Sequence, residues 1–280
     1  MTLITSIRTK NGILLSADSK ELTSGGNLLW ADFDDILKLK NEDENSENQC
    51  ISPKEITDKF KANSQINRGR IKSKNGARKI FKLNDFSALL IAGLANPNNI
   101  EFPEIIREIN QIQIDNSDYS LDFVIETSFN KLKEYLDLDS RDGKFESEYF
   151  LCGFDNVTCE FKIYRFWFND KYIMENGKPK LDEKNVPLRE KYFAKRESNE
   201  MLNISGWTNY LRDLTTLNQL GLEISFEKAY SLNSAIMNLA IQMENTSQDV
   251  TGIGGKIYKA IIDKNGFKWI NDERDIYDLE

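Results

Sequence analysis

The sequence predicts an α+β fold in which two antiparallel sheets stack on one another and carry helices on their outer faces. Three observations lead there. Asn-Gly pairs sit between β-prone runs at Lys10-Asn11-Gly12 and Lys264-Asn265-Gly266, the strongest short-range hairpin signal. Apolar spacing of about 3.6 residues occurs in two separate blocks, after the first strands and again late in the chain. Strands and helices are therefore grouped rather than alternating, which argues against a doubly wound parallel sheet.

The elements follow in order. Residues 2–9 and 12–18 read as the first hairpin, and the run Ile13-Leu14-Leu15-Ser16-Ala17 has the continuous apolar character of a buried strand. Residues 24–72 are rich in Asn, Lys and acidic side chains, and read as a polar insertion with a short helix near 53–62. The alternation Arg78-Lys79-Ile80-Phe81-Lys82-Leu83 reads as a half-buried strand, followed by an apolar strand from Phe86 to Gly93. Helices are expected over 99–114 and 119–137, the second with Asp118 and Ser120 at its capping positions. A second hairpin over 147–154 and 159–168 precedes a variable loop at 169–198. Helices at 206–222 and 226–244 come next, and strands at 256–263 and 267–270 close the chain. One domain over 1–280 accounts for this order.

Composition narrows the function. The net charge of −8 on 280 residues lacks the basic footprint of a nucleic-acid binder. No apolar stretch is long enough to span a membrane, and the first residues lack the features of a signal peptide. Three cysteines without a C-x-x-C pair fit a reducing, cytoplasmic setting. The chain contains no histidine, which removes Ser-His-Asp and Cys-His catalysis and the commonest zinc sites. A hydrolase built on this chain needs a lysine, a carboxylate or a free α-amine as its base.

Thr2 offers such an amine. Removal of Met1 before a small residue would leave an α-amine, of ordinary pKa about 7.7–8.0, on the same residue as a hydroxyl. The hairpin then folds Asp18 back toward that terminus, and the strand carrying Lys79 follows. The run Lys10-Asn11-Gly12-Ile13-Leu14-Leu15-Ser16-Ala17-Asp18-Ser19-Lys20 after Thr2, the run Lys74-Asn75-Gly76-Ala77-Arg78-Lys79-Ile80-Phe81, and Ile91-Ala92-Gly93 together resemble proteasome β subunits and their bacterial relatives. Phe150 to Asp155, Ile204-Ser205-Gly206 and Gly254-Gly255-Lys256-Ile257 continue the resemblance over nearly the whole chain.

That resemblance implies the four-layer αββα sandwich of N-terminal nucleophile (Ntn) hydrolases and a threonine-type endopeptidase. In it Thr2 is the nucleophile, Asp18 and Lys79 are the catalytic acid and lysine, Gly93 supplies an oxyanion N–H, and Ser205 supports the threonine amine. It implies neither metal nor cofactor. An extended peptide or unfolded protein would pair with the backbone near Leu22 and Gly93, and Glu21, Ala77, Phe81, Ile91 and Ala95 would line the first side-chain pocket. It also implies a homo-oligomeric ring and an ATP-dependent unfoldase partner.

One segment departs from the family. Where the family has Asp-x-x-Ser-Gly, this chain reads Asp249-Val250-Thr251-Gly252-Ile253-Gly254-Gly255. Aligning the glycine pair puts Ile253 at the serine, whereas aligning Asp249 requires an added residue. Asp249, with Thr251, is assigned the amine-support role on the second alignment. Two other readings stand beside the peptidase: a catalytically inactive scaffold or binding subunit of the same fold, and an amidohydrolase acting on small amides.

Overall fold

The computed structural model describes residues 2–24, 71–94, 96–138, 145–183, 187–206, 224–247 and 253–270. Its strands are β1 (Leu3–Thr9), β2 (Gly12–Asp18), β3 (Lys20–Ser24), β4 (Ile71–Asn75), β5 (Ile80–Asn84), β6 (Ser87–Ala92), β7 (Phe145–Asp155), β8 (Glu160–Tyr172), β9 (Met174–Glu175), β10 (Lys178–Pro179), β11 (Arg189–Glu197), β12 (Leu202–Gly206), β13 (Ile257–Asp263) and β14 (Gly266–Trp269). Its α-helices are α1 (Phe102–Asn116), α2 (Leu121–Leu138) and α3 (Phe226–Ser247). Met1–Lys20 with Asn75–Glu280 make one compact unit and Glu21–Lys74 another. Strands β3 and β4 pair with each other as a two-stranded sheet.

The first unit holds two five-stranded sheets, ordered β12-β1-β2-β13-β14 and β11-β8-β7-β6-β5, antiparallel throughout. Strand alternation sorts their apolar side chains into three clusters. Ile4, Ile13 and Leu15 of the first sheet meet Ile80, Leu90 and Phe150 of the second. On the other face of the second sheet, Leu89, Tyr149, Phe166 and Phe168 pack against Phe102, Ile105, Val124 and Leu132 of α1 and α2. Leu3, Ile7 and Leu14 turn the other way, onto Ala229, Ile236, Met237 and Ala240 of α3. Every residue of β2 is buried because both faces of its sheet are covered. That is why its sequence reads as an unbroken apolar run. The α3 face also carries a polar tie. Ser16 Oγ donates to Asn233 Oδ1 at 2.7 Å, and Asn233 Nδ2 donates to Thr5 Oγ1 at 2.5 Å.

The α+β, antiparallel character and the strand-helix-strand-helix-strand order agree with the sequence. Ser120 Oγ accepts from the Phe123 N–H and so caps α2, and Asp118 Oδ1 accepts from the Ser120 N–H in the turn that leads into the helix. The region read as a variable loop at 169–198 differs. There β8 continues to Tyr172, and β11 pairs with it in unbroken register from Arg189↔Tyr172 to Glu197↔Tyr164. The helix expected near 53–62 and most of the one at 206–222 lie outside the described residues. Among the described residues, no helix is long and apolar enough to cross a membrane.

The β7–β8 turn carries a measurable charge. Asp155 accepts from Lys162 Nζ at 2.7 Å, from Thr158 Oγ1 at 2.9 Å and from the Val157 N–H at 2.9 Å. Chiefly through the Lys162 hydrogen bond, its carboxyl is held down to about 2. A carboxyl depressed in the folded state stabilises the fold above its unfolded pKa and loses that contribution as pH falls through the folded value. Wild type is therefore expected to exceed Asp155→Asn by about 1–2 kcal/mol at neutral pH, discounted for solvent screening. The gap should close between about pH 4 and pH 2. Urea unfolding across that range checks it, and a gap independent of pH would contradict the assignment.

Candidate active site

The site is built where β1 begins and β2 ends. The β1–β2 hairpin is antiparallel with Ile4 opposite Ala17, so Asp18 comes back to the start of β1. The Leu3 N–H, the amide joined to Thr2, donates to Asp18 Oδ1 at 2.8 Å. Lys79, just before β5, donates to the same oxygen at 2.7 Å and to the Lys20 carbonyl at 2.5 Å. The other carboxylate oxygen accepts the Lys20 N–H and the Gly254 N–H, each at 3.1 Å. Asp18 is wholly buried and Lys79 is 4 % exposed.

Burying an ion pair costs several kcal/mol per ion in desolvation, and a well-packed apolar pair often serves stability as well or better. Here the cost is offset by saturation. Each Asp18 oxygen accepts two donors, and the ammonium spends hydrogens on two acceptors. The result is a fixed ion pair joined to the Thr2–Leu3 peptide through the Asp18 carboxylate.

The neighbouring segments are equally constrained. Leu3 pairs with Gly206 and Ile4 with Ser205, which brings β12 alongside the first residues. Gly206 has φ +97°, and a Cβ there would stand 1.8 Å from the Thr2 carbonyl oxygen. Only glycine permits this approach. Ser19 is buried; its carbonyl accepts the Ala77 N–H at 2.8 Å and its hydroxyl accepts the Lys256 N–H at 2.8 Å. These bonds bind the ends of β2, β5 and β13 around Asp18.

Gly93 follows β6. The Ile91 N–H donates to the Lys79 carbonyl at 3.0 Å, which ties this strand end to the lysine. Gly93 has φ +113°, and a Cβ would lie 2.6 Å from both the Glu146 carbonyl oxygen and Ser147 Oγ. Its neighbour Leu94 is held at both backbone groups. The Leu94 N–H donates to Ser147 Oγ at 3.0 Å, and the Tyr149 hydroxyl donates to the Leu94 carbonyl at 3.4 Å. Burial pushes the Tyr149 phenol well above its ordinary pKa.

Of the residues singled out in the sequence, Asp18 and Lys79 are in direct contact. Thr2, 8 % exposed, immediately precedes β1, and Ser205 lies in β12 opposite Ile4. Phe81 and Ile91 are buried in the cluster under α1, with Phe81 stacked on Phe102, and Ala77 is half-buried. Glu21 and Leu22 belong to the second unit, on β3. Ala95 and Asp249 lie outside the described residues. Ile253, the position aligned with the family's serine, is wholly buried in the α3 cluster. Sequence reasoning missed the Leu3 and Lys20 N–H groups, the Lys20 carbonyl and the Gly254 N–H as partners of the pair. Only the Gly254-Gly255 doublet signalled a special backbone there, and Gly254 has φ +143°.

Compared with known proteins, the chain matches no family model and no curated sequence.

Proposed function

We propose that this chain is a threonine-type Ntn hydrolase of the proteasome β-subunit kind, with the αββα fold of that class, acting on peptide bonds of extended or unfolded chains. The observation that carries the reading is the buried Lys79–Asp18 pair held against the amide that follows Thr2. A chain with no histidine has few ways to activate a hydroxyl, and a fixed ammonium beside an N-terminal threonine is one of them.

Once Met1 is removed, the Thr2 α-amine takes the hydroxyl proton as Oγ attacks the substrate carbonyl. Lys79 favours the alkoxide by its charge and Asp18 fixes the ammonium in place. The Gly93 N–H stabilises the oxyanion of the tetrahedral intermediate. The amine returns its proton to the leaving nitrogen, and water then releases the acyl group from Thr2. Assembly into a closed homo-oligomer, supply of substrate by an ATP-dependent unfoldase and a cytoplasmic location belong to the same proposal. The free thiols of Cys152 and Cys159 are in keeping with a reducing setting.

One observation favours a second reading, an inactive subunit of the same fold. On the alignment of the glycine pair, Ile253 puts an apolar side chain where the family places a serine near the amine. Intact mass decides between them. The active reading expects a chain beginning at Thr2 and a single adduct on that residue after treatment with an electrophile that requires both hydroxyl and α-amine. Thr2→Ala should abolish the adduct and Lys79→Ala should slow its formation by about a hundredfold or more. A chain that retains Met1 and takes no adduct is the inactive subunit.

A further inference from the structure

Strand β11 ends the second sheet, and among the described residues no strand pairs with its outer edge. The direction of its backbone groups follows from the bonds that flank it. The Ser198 N–H donates to the Ile163 carbonyl at 2.7 Å and the Ile173 N–H to the Leu188 carbonyl at 2.9 Å. Both bonds lie on the β8–β11 register, so even-numbered residues of β11 face β8 with their amides and carbonyls. The odd-numbered residues, Arg189 to Glu197, present theirs to the open edge. A nine-residue strand with no neighbouring strand on that side among the described residues is a template for another strand, and most proteins blunt such an edge.

The side chains suit one strand in particular, a second copy of β11. In an antiparallel pairing centred on Phe193, the edge-facing odd residues meet as hydrogen-bonded pairs, and all nine residues are used. Glu190 then lies opposite Arg196, twice by symmetry, while Arg189, opposite Glu197, is already paired with Asp170 within its own copy. Glu190 and Arg196 are exposed on the face away from the helices, and among the described residues neither makes an ion pair. The single like-charged match, Lys191 with Lys195, is neutralised within each copy. Lys191 donates to the Leu136 carbonyl at 3.2 Å and stands 3.8 Å from Asp137 Oδ1, and Lys195 pairs with Glu126. Moving the centre to Tyr192 would set Arg189 against Lys195 and shorten the ladder. Tyr192, 57 % exposed, lies opposite Ala194 in the Phe193-centred register, where a small residue leaves room for its ring.

We propose that β11 is a homodimerisation edge, through which two copies of this chain pair about a two-fold axis at Phe193 and join their five-stranded sheets into one. The pairing is isologous, so one self-complementary strand suffices. It does not depend on whether Thr2 is catalytic.

Sedimentation velocity of the full chain tests it with Glu190→Arg and Arg196→Glu. Wild type should sediment as a dimer, or as a larger assembly built from such dimers. Each single variant sets like charges opposite each other twice and should raise the dissociation constant at least about tenfold. An equimolar mixture of the two variants should recover a heterodimer, because both cross-strand matches then become opposite in sign. The double variant Glu190→Arg/Arg196→Glu should dimerise by itself. A monomeric wild type overturns the proposal and leaves the edge to a segment of another protein. An assembly unchanged by either substitution, or variants that do not reassociate on mixing, overturns it equally.

Discussion

An Asp18→Asn chain should lose about 3–5 kcal/mol of folding stability, although asparagine keeps the shape of the side chain. The reason is that Asp18 has no oxygen to spare. Oδ1 accepts the Leu3 amide and the Lys79 ammonium, and Oδ2 accepts the Lys20 and Gly254 amides. Whichever position the asparagine nitrogen takes, its hydrogens face two donors, and rotating the amide exchanges one conflict for the other. The Lys79 charge meanwhile stays buried without its counter-ion. Lys79→Met is the instructive comparison. It removes the charge but leaves the carboxylate with three backbone N–H donors, so its loss of stability should be the smaller of the two. The two variants should nevertheless be alike in forming the Thr2 adduct at least about a hundredfold more slowly. Urea unfolding midpoints give the order of stability and intact mass gives the reactivity. An Asp18→Asn chain as stable as wild type would mean that the hydrogen bonds described around Asp18 are wrong. A stable Lys79→Met chain that labels at Thr2 at the wild-type rate would remove the lysine from the chemistry while leaving the fold intact.

How much of this was legible beforehand depends on where the information resides. The β1–β2 hairpin was readable because its turn needs Asn11-Gly12 and its strand is buried on both faces, so composition and burial agree. Asp18 and Lys79 were readable because the pattern they resemble places an acid and a lysine at those spacings from an N-terminal threonine, and the two side chains do meet. Their remaining partners are the Leu3, Lys20 and Gly254 amides and the Lys20 carbonyl, and any residue but proline supplies an amide. No residue type announces them. Strand β11 was hidden for a different reason. Its helix-facing positions Arg189, Lys191 and Lys195 are held by Asp170, Asp137 and Glu126 rather than by apolar packing, and only Phe193 joins the core. An apolar period cannot reveal a strand whose inward positions are charged. Ile253 shows the converse: on the alignment of the glycine pair the resemblance expects a serine there, and the structure fills the position with core.

Gly206→Ala should be far more damaging than Gly76→Ala, and the contrast isolates what holds β12 against the start of β1. Both glycines have positive φ, +97° and +93°. At Gly76 an added Cβ meets nothing within 4 Å, so the substitution carries only the backbone penalty of a left-handed conformation, about 1–2 kcal/mol. At Gly206 the same penalty is joined by a Cβ standing 1.8 Å from the Thr2 carbonyl oxygen and 2.7 Å from its carbon. Backbone atoms cannot swing aside as a flexible side chain does, so either the end of β12 or the start of β1 must move. The Leu3↔Gly206 pairing would open first, and with it the alignment of Ser205 beside Ile4. The expected loss is about 3 kcal/mol or more in stability. Adduct formation at Thr2 should fall steeply even under conditions where the variant remains folded, because the residue displaced is the proposed nucleophile. Gly76→Ala should label at the wild-type rate. If the two alanine variants proved equally stable and equally reactive, the close approach of β12 to Thr2 would not be what positions the proposed nucleophile. Labelling lost at Gly206 but retained at Gly76 would instead tie the reactivity of Thr2 to a contact that only glycine allows.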